Sequence, residues 1–392
     1  MKSVNLMRWS RVLAIASALS IAFTLTASTD GGQNKEQEQV KKATPETKVA
    51  SPKAEPSAPT AKSADDYVVV MTEKDDSPVK VYQKYLEKAD LWRSLADYNL
   101  LSEGVKVRVP KEMLKSGILP AKVTKASGRV EIARNFDWKW IPVVPNLLVS
   151  EGDWIRTRAR SSVEIRQDDG TVIQLRPDTK VMFTTSGQTS SARGEVRVTK
   201  LNLESGSLSA KVQKLLARDS RFEIKTPTAT SFIRGTEFRV KVEDQGATRL
   251  EVLEGAIDFG SEQNHVSVAG NFGSRVTSGT TPEAPHALPA APAALLTPEN
   301  RQVLEGEITA YRFSWAAVEG AARYHVEVAA DQEFKQLVDE SWVDSTGAEL
   351  ANFNMQTLEP GTYFWRVSAI DAQGYESPWS ESRHFVYPAQ LK

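Results

Sequence analysis

Between Ser150 and Gly273 apolar and polar residues alternate with a period of two, strand after strand. That pattern restricts the chain to β-structure with one buried and one wet face. Phe238, Val240 and Val242 alternate with Arg239, Lys241 and Glu243, and Asp244-Gln245-Gly246 then turns the chain. Leu250 and Val252 resume the pattern until Gly255 interrupts it ahead of Ile257 and Phe259. Upstream, Val163 and Ile165 lead through Asp168-Asp169-Gly170 to Ile173 and Leu175, a second hairpin with a turn that tolerates positive φ. Glycines that interrupt strand patterns, Gly235 and Gly255, mark a bulge or a close backbone approach. Thr226-Pro227 restricts two residues to extended backbone and suits a strand end. Lys125–Ile132 is expected as the first strand, and polar Thr184–Glu195 as a loop between strands. Leu201–Leu216 has apolar residues at both spacings, so strand and helix stay unseparated after Leu208. Asp137-Trp138-Lys139-Trp140 either covers a sheet edge or forms an exposed contact patch.

These strands also resemble the FecR domain family. Leu148-Val149-Ser150-Glu151-Gly152-Asp153-Trp154-Ile155-Arg156-Thr157 is similar to its opening "L-x-x-G-D-x-I-x-T". Asp169 to Leu175 is similar to "D-G-S-x-I-x-L", and Leu203 to Leu208 to "L-x-x-G-x-L". Phe222 to Phe238, with Thr226-Pro227 and Arg234-Gly235-Thr236-Glu237-Phe238, resembles the "T-P…v-R-G-T-x-F" core, and Glu254-Gly255-Ala256-Ile257 the closing "E-G-x-V". The resemblance implies an extracytoplasmic β fold over 120–278 with no known catalytic chemistry. In the founding regulator such a domain relays an envelope signal. Asp153, Gly170, Pro227, Arg234, Gly235, Thr236 and Gly255 are expected to be fold-forming, with a contact surface at Arg234-Gly235-Thr236 as the alternative.

Length and charge bound the rest. A chain of 392 residues suggests two or three domains. Its 49 basic and 50 acidic residues nearly cancel, so the basic field that drives nucleic-acid binding is missing and no nucleic-acid partner is expected. With no cysteine there are no disulfides, thiolate zinc sites, cysteine nucleophiles or lipid-modified amino-terminal cysteine. Lys2, Arg8 and Arg11 precede apolar Val12–Leu25 and small Thr26, Ala27 and Ser28, the order of a secretory signal peptide over 1–28. The apolar run is shorter than the ~20 residues a spanning helix needs. Because neither Ala27 nor Ser28 gives a clean cleavage site, a retained anchor is the alternative. After cleavage no integral membrane span is expected, and the mature chain is placed in the periplasm or envelope of a Gram-negative-type bacterium. Residues 29–66, rich in Lys, Glu, Gln, Pro, Ala and Ser, form a disordered, fairly extended tether.

Residues 67–113 are predicted as a βααβ unit. Tyr67-Val68-Val69-Val70 is β-rich, and Ser77-Pro78 opens a helix carrying Val81, Tyr82, Tyr85 and Leu86. Leu91, Trp92, Leu95 and Tyr98 share a face of a second helix, and Val105, Val107 and Val109 alternate into Pro110. Tyr67-Val68-Val69, Trp92-x-x-Leu95-Ala96-x-x-Asn99 and Val105-x-Val107-x-Val109-Pro110 resemble a LysM domain, which implies binding to peptidoglycan-type glycans. The implied glycan loops are Asp76, Ser77 and Pro78 facing Asn99, Leu100 and Leu101. The family's "G-D-T-L" reads Asp75-Asp76-Ser77-Pro78 here, and its "P-G-Q" reads Ser102-Glu103-Gly104. Trp92 is either helix core or a sugar platform.

Residues 279–297 form a proline-rich, semi-rigid spacer. Residues 298–388 again alternate, and the runs from Phe313 and from Gly361 resemble a fibronectin type III-like sandwich. Trp315, Tyr324 and Trp365 are expected in its core and Trp379 as a minor rim contact.

Motifs for chemistry are absent: no phosphate loop, no dinucleotide G-x-G-x-x-G, no H-E-x-x-H and no G-x-S-x-G. The four histidines, His265, His286, His325 and His384, are scattered, so no metal or cofactor is expected. Together these features suggest a mainly β, multidomain, non-enzymatic envelope scaffold that docks to peptidoglycan and presents β domains to protein partners. The alternative is a FecR-type signal-relay regulator acting on a membrane or sigma-factor partner.

Overall fold

The computed structural model describes residues 67–71, 78–88, 106–134, 139–191, 194–261, 263–304, 312–344, 346–349 and 358–388. The expected signal peptide, the tether, the second helix with Trp92, and Asp76, Ser77, Asn99, Leu100 and Leu101 lie outside them, as do Asp137 and Trp138. Pro78 is described as the first residue of the helix Pro78–Tyr85. The described chain is mainly β.

Tyr67–Met71 pairs antiparallel with Lys106–Pro110, placing Val68 opposite Val109 and Val70 opposite Val107. Val81 and Tyr85, four residues apart and so on one helical face, close a small core over these valines. Leu148 of the following domain belongs to the same core, and the Val69 amide donates to the Asn146 carbonyl at 2.7 Å.

The central domain folds as two layers sharing one strand. Gly194–Lys211 first pairs antiparallel with Lys180–Ser191 and parallel with Arg221–Lys225. From Gly206 onward it pairs with Val172–Leu175 and Glu237–Val242 in the opposite layer. Between the layers lie Ile155, Ile165, Phe183, Leu203, Phe238 and Phe259, all fully buried, the inward set that the period-2 pattern predicts.

Both hairpins expected from the alternation are present: Ser162–Gln167 with Val172–Leu175, and Glu237–Val242 with Thr248–Glu254. Two local expectations need correction, and one alternative left open is resolved. Thr184–Glu195 is not a loop but the end of a long hairpin, because backbone pairing is indifferent to a polar side chain and Thr suits a pleated surface. Lys125–Ile132 is two strands, Ala121–Ser127 and Val130–Ala133, folded apart at Gly128. After Leu208 the chain continues as strand to Lys211.

Within the proline-rich segment, His286–Ala287 adds to Phe272–Val276, and Leu295–Thr297 pairs with Arg312–Trp315 of the last domain. That domain stacks a sheet of Leu295–Thr297, Arg312–Trp315 and Gly347–Glu349 on a larger one. The larger sheet contains Leu337–Val343, Ala321–Ala329, Gly361–Asp371 and Arg383–Tyr387 in that order. Trp315, Tyr324 and Trp365 are buried in its core beside Phe313 and Phe385, as expected. Among the described residues no helix is long and apolar enough to cross a membrane.

Gly206 makes the change of layer possible. Its φ is +84°, and a Cβ there would collide with Thr179 and lie 2.6 Å from the Asp178 carbonyl oxygen. Left-handed backbone costs a non-glycine residue about 1–2 kcal/mol before any clash. Gly206→Ala is expected to destabilise the central domain by at least about 2 kcal/mol, lowering its melting temperature by roughly 4–8 °C in a calorimetric scan.

Candidate functional site

Period-2 strands that bury one face leave the other free, and here the free faces of two domains cover each other. Strand register aligns Gln174, Ser209, Arg239, Glu251 and Gly273 in one outward row across the central domain. The terminal sandwich meets this row position by position. Gln174 Nε2 donates to the Phe334 carbonyl at 3.1 Å, and Arg239 Nη1 to the Ser377 carbonyl at 2.9 Å. The Glu376 amide donates to Glu251 Oε1 at 2.9 Å, and the Tyr375 ring fills the space over Gly273, where any Cβ would strike it.

The sandwich contributes an equally polar face. Register places Glu327 beside Arg366 and Glu340, and His325 beside Ser368 and Trp342. Glu327 is completely buried. One of its oxygens takes Arg176 of the central domain and the other takes Arg366 at 2.6 and 2.8 Å. Burial alone would raise this carboxyl, but the guanidiniums of Arg176 and Arg366 hold it down at about 2. His325 Nδ1 lies 3.1 Å from Glu376 and Nε2 3.3 Å from Glu340, partners that only the imidazolium satisfies at both nitrogens. Desolvation opposes the charge, yet Glu376 and Glu340 raise this histidine to about 9. Burial pushes Glu251 up to about 7 against the pull of Arg239, while Arg239 and His325 hold its neighbour Glu376 well below the carboxylate range. Trp379 is the apolar centre. Arg366, Arg239 and Arg176 stand 4.2, 5.4 and 5.9 Å from its ring centroid, two of them from the other domain.

Beside this contact a cleft of about 860 Å³ opens between the domains, bordered by Arg160, Ser207, Lys241, Glu340 and Trp342. His325, Glu327 and Glu340 present atoms within 4.8 Å of one another, a spacing a metal ion could use. The donor set does not fit one: both Glu327 oxygens are held by guanidiniums and both His325 nitrogens by carboxylates.

The motif residues expected to matter sit apart from this contact, Pro227 excepted, which borders the cleft. Asp153 is buried under Arg134 and accepts the Ser150 amide at 2.7 Å; burial, more than its arginine, sets its carboxyl, which is raised. Gly170 turns the 162–175 hairpin. Gly235 and Thr236 abut Gly255, whose φ is positive and where a Cβ would lie 2.6 Å from Thr236 Cγ2, leaving no room for a side chain. Among the described residues Arg234 reaches only the Arg218 carbonyl, at 3.5 Å. Trp379, expected as a minor rim contact, instead lies at the domain boundary, and the histidines are not all idle. The available signal was the charged outward parity of 323–327 and 366–368, which in an isolated sandwich would face water.

Two β domains joined face to face through polar side chains define a protein-contact architecture. A model of the FecR protein family matches residues 153–258, and one of the Rha78A-like N-terminal immunoglobulin domain matches residues 293–387. The central domain is a FecR domain and the terminal one is immunoglobulin-like. No relative was found among the curated proteins. Among solved structures, a candidate anti-sigma factor from Parabacteroides distasonis is 18% identical with a TM-score of 0.28, covering 34% of this chain and 59% of that one. A second structure so described from the same organism is 14% identical with a TM-score of 0.29, covering 60% and 99%. An Fn3-like protein from Clostridium thermocellum is 21% identical with a TM-score of 0.20, covering 27% and 100%. Likenesses this distant carry no functional argument.

The titration of the contact has a definite sign. His325, raised from 6.5 to about 9, stabilises the contact below its unfolded value, and that contribution is lost as pH rises through about 9. Glu251, raised from 4.5 to about 7, adds a loss that begins above 4.5 and is complete once pH has risen through about 7. Glu327 stabilises above 4.5 and loses its contribution only as pH falls toward about 2. The terminal domain's melting temperature is therefore expected to fall between about pH 4.5 and pH 9. His325→Gln should flatten that slope while lowering the plateau.

Proposed function

We propose that this chain is a non-enzymatic FecR-type regulator of the bacterial envelope, relaying a signal through protein contacts. The FecR match over 153–258 carries this reading, and it favours relay over the scaffold role that the sequence alone put first. The outward polar row of the FecR domain supports it. Interfaces between domains that are rich in ion pairs resemble transient protein contacts rather than fused cores. An exported or envelope location accords with the family and with the amino-terminal sequence. The relay partner is a membrane protein or a sigma factor. Deleting the gene is expected to change expression of at least one envelope-responsive sigma-factor regulon, with restoration by the full chain and not by one lacking residues 153–258. An unchanged transcriptome under envelope stress would sink the relay.

The antiparallel pairing of Tyr67–Met71 with Lys106–Pro110 around a helix favours a second element, docking to peptidoglycan through the LysM-like unit. Co-sedimentation of Ser28–Lys392 with insoluble peptidoglycan, beside a chain beginning at Pro120, tests it. Pelleting of the longer chain alone is the expected result; equal behaviour removes the glycan role.

A further inference from the structure

The sandwich does more than sit beside the FecR domain: it neutralises one face of it. Arg176, Arg239 and Arg249 all point out of the FecR sheet into the sandwich, which answers with the Glu327 carboxylate and with backbone carbonyls of Gln373, Gly374 and Ser377. Arg249 Nη2 meets the Gln373 carbonyl at 3.0 Å. Arg239 and Arg249 also pair with Glu251 and Glu243 of their own domain, so among the described residues Arg176 is the guanidinium whose carboxylate the sandwich supplies. The two domains keep separate hydrophobic cores, and Tyr375, packed between them over Gly273, belongs to neither. The covalent link is short: Leu288 is bonded to Asn271 and Ala294 to Ala316, leaving 289–293 as the free tether.

We propose that the immunoglobulin-like domain is a displaceable cover, and that the arginine-bearing FecR face beneath it is a docking surface for a carboxylate-presenting protein segment. Glu327 occupies the surface in cis, and the partner replaces it in trans. Charge complementarity selects the occupant: Glu327 leaves together with Arg366 of its own sheet, and the Arg176 guanidinium so bared takes another carboxylate. This deepens the relay function by giving it an input, but cover and relay can fail separately. The cover is tested below on purified protein, and the relay by the transcriptome.

The chain has no cysteine, so Lys225→Cys and Val303→Cys, both at exposed positions, give one clean spin-label pair. The wild-type background should show a single distance. Tyr375→Ala should add a population longer by up to about 17 Å, the reach of a five-residue tether. Fluorescent hexaglutamate is the probe for the face: Tyr375→Ala should bind it at least about tenfold tighter than wild type, and Arg176→Gln in that background should abolish the gain. A distance unmoved by Tyr375→Ala means the domains are fused and overturns the cover. Opening without a gain in hexaglutamate binding overturns the docking surface. If Tyr375→Ala does not fold, Glu327→Gln, which removes only the charge, is read in the same two assays with the same consequences.

Discussion

A carboxylate with no water around it organises this molecule. Glu327 is entirely enclosed, and an unpaired charge in that position would cost several kcal/mol. It is tolerable only because Arg176 arrives from one domain and Arg366 from the other strand of its own sheet. The pair need not add net stability, since buried ion pairs repay desolvation only in part. What it adds is selectivity for one arrangement: sliding either sheet by a single residue would bring apolar side chains to the boundary and strand the charge. The surrounding groups follow the same logic, His325 held cationic by two carboxylates and Trp379 presented to three guanidiniums.

The FecR domain is suited to carrying such a face. Its layers are tied through one strand, Gly194–Lys211, so the polar row of Ser209 and Arg239 sits on a rigid support. The motif residues spend themselves on that support. Asp153 clasps Arg134, Gly255 lets Thr236 approach, and Thr226 bonds Thr248 at 2.6 Å to brace the corner after Arg221–Lys225. Recognition is left to residues outside the motif, on the opposite parity of the same strands.

That division explains what was legible. Alternation in 238–259 and 163–175 gave away the strands, their hairpins and their inward residues, because burial writes a period of two into the chain. The polar hairpin 180–191 was hidden, since its pairing rests on backbone hydrogen bonds that leave no apolar trace. The inter-domain contact was hidden for a different reason. A charged outward residue such as Glu327 or Arg239 is written the same way whether water or another domain covers it, and the pairing of 176 with 327 spans a separation no local pattern encodes. Trp379 offered a hint, being a large aromatic outside the alternating runs.

The five-residue tether between Leu288 and Ala294 has a kinetic meaning. A domain held on so short a lead stays within a small volume of its seat, at an effective concentration on the order of millimolar. A competitor diffusing freely at ordinary abundance is outnumbered by the protein's own cover. Only a competitor that is itself confined nearby, or that brings several weak contacts at once, can win that contest. The lead therefore filters by neighbourhood as much as by chemistry, making the face responsive to who is anchored beside it.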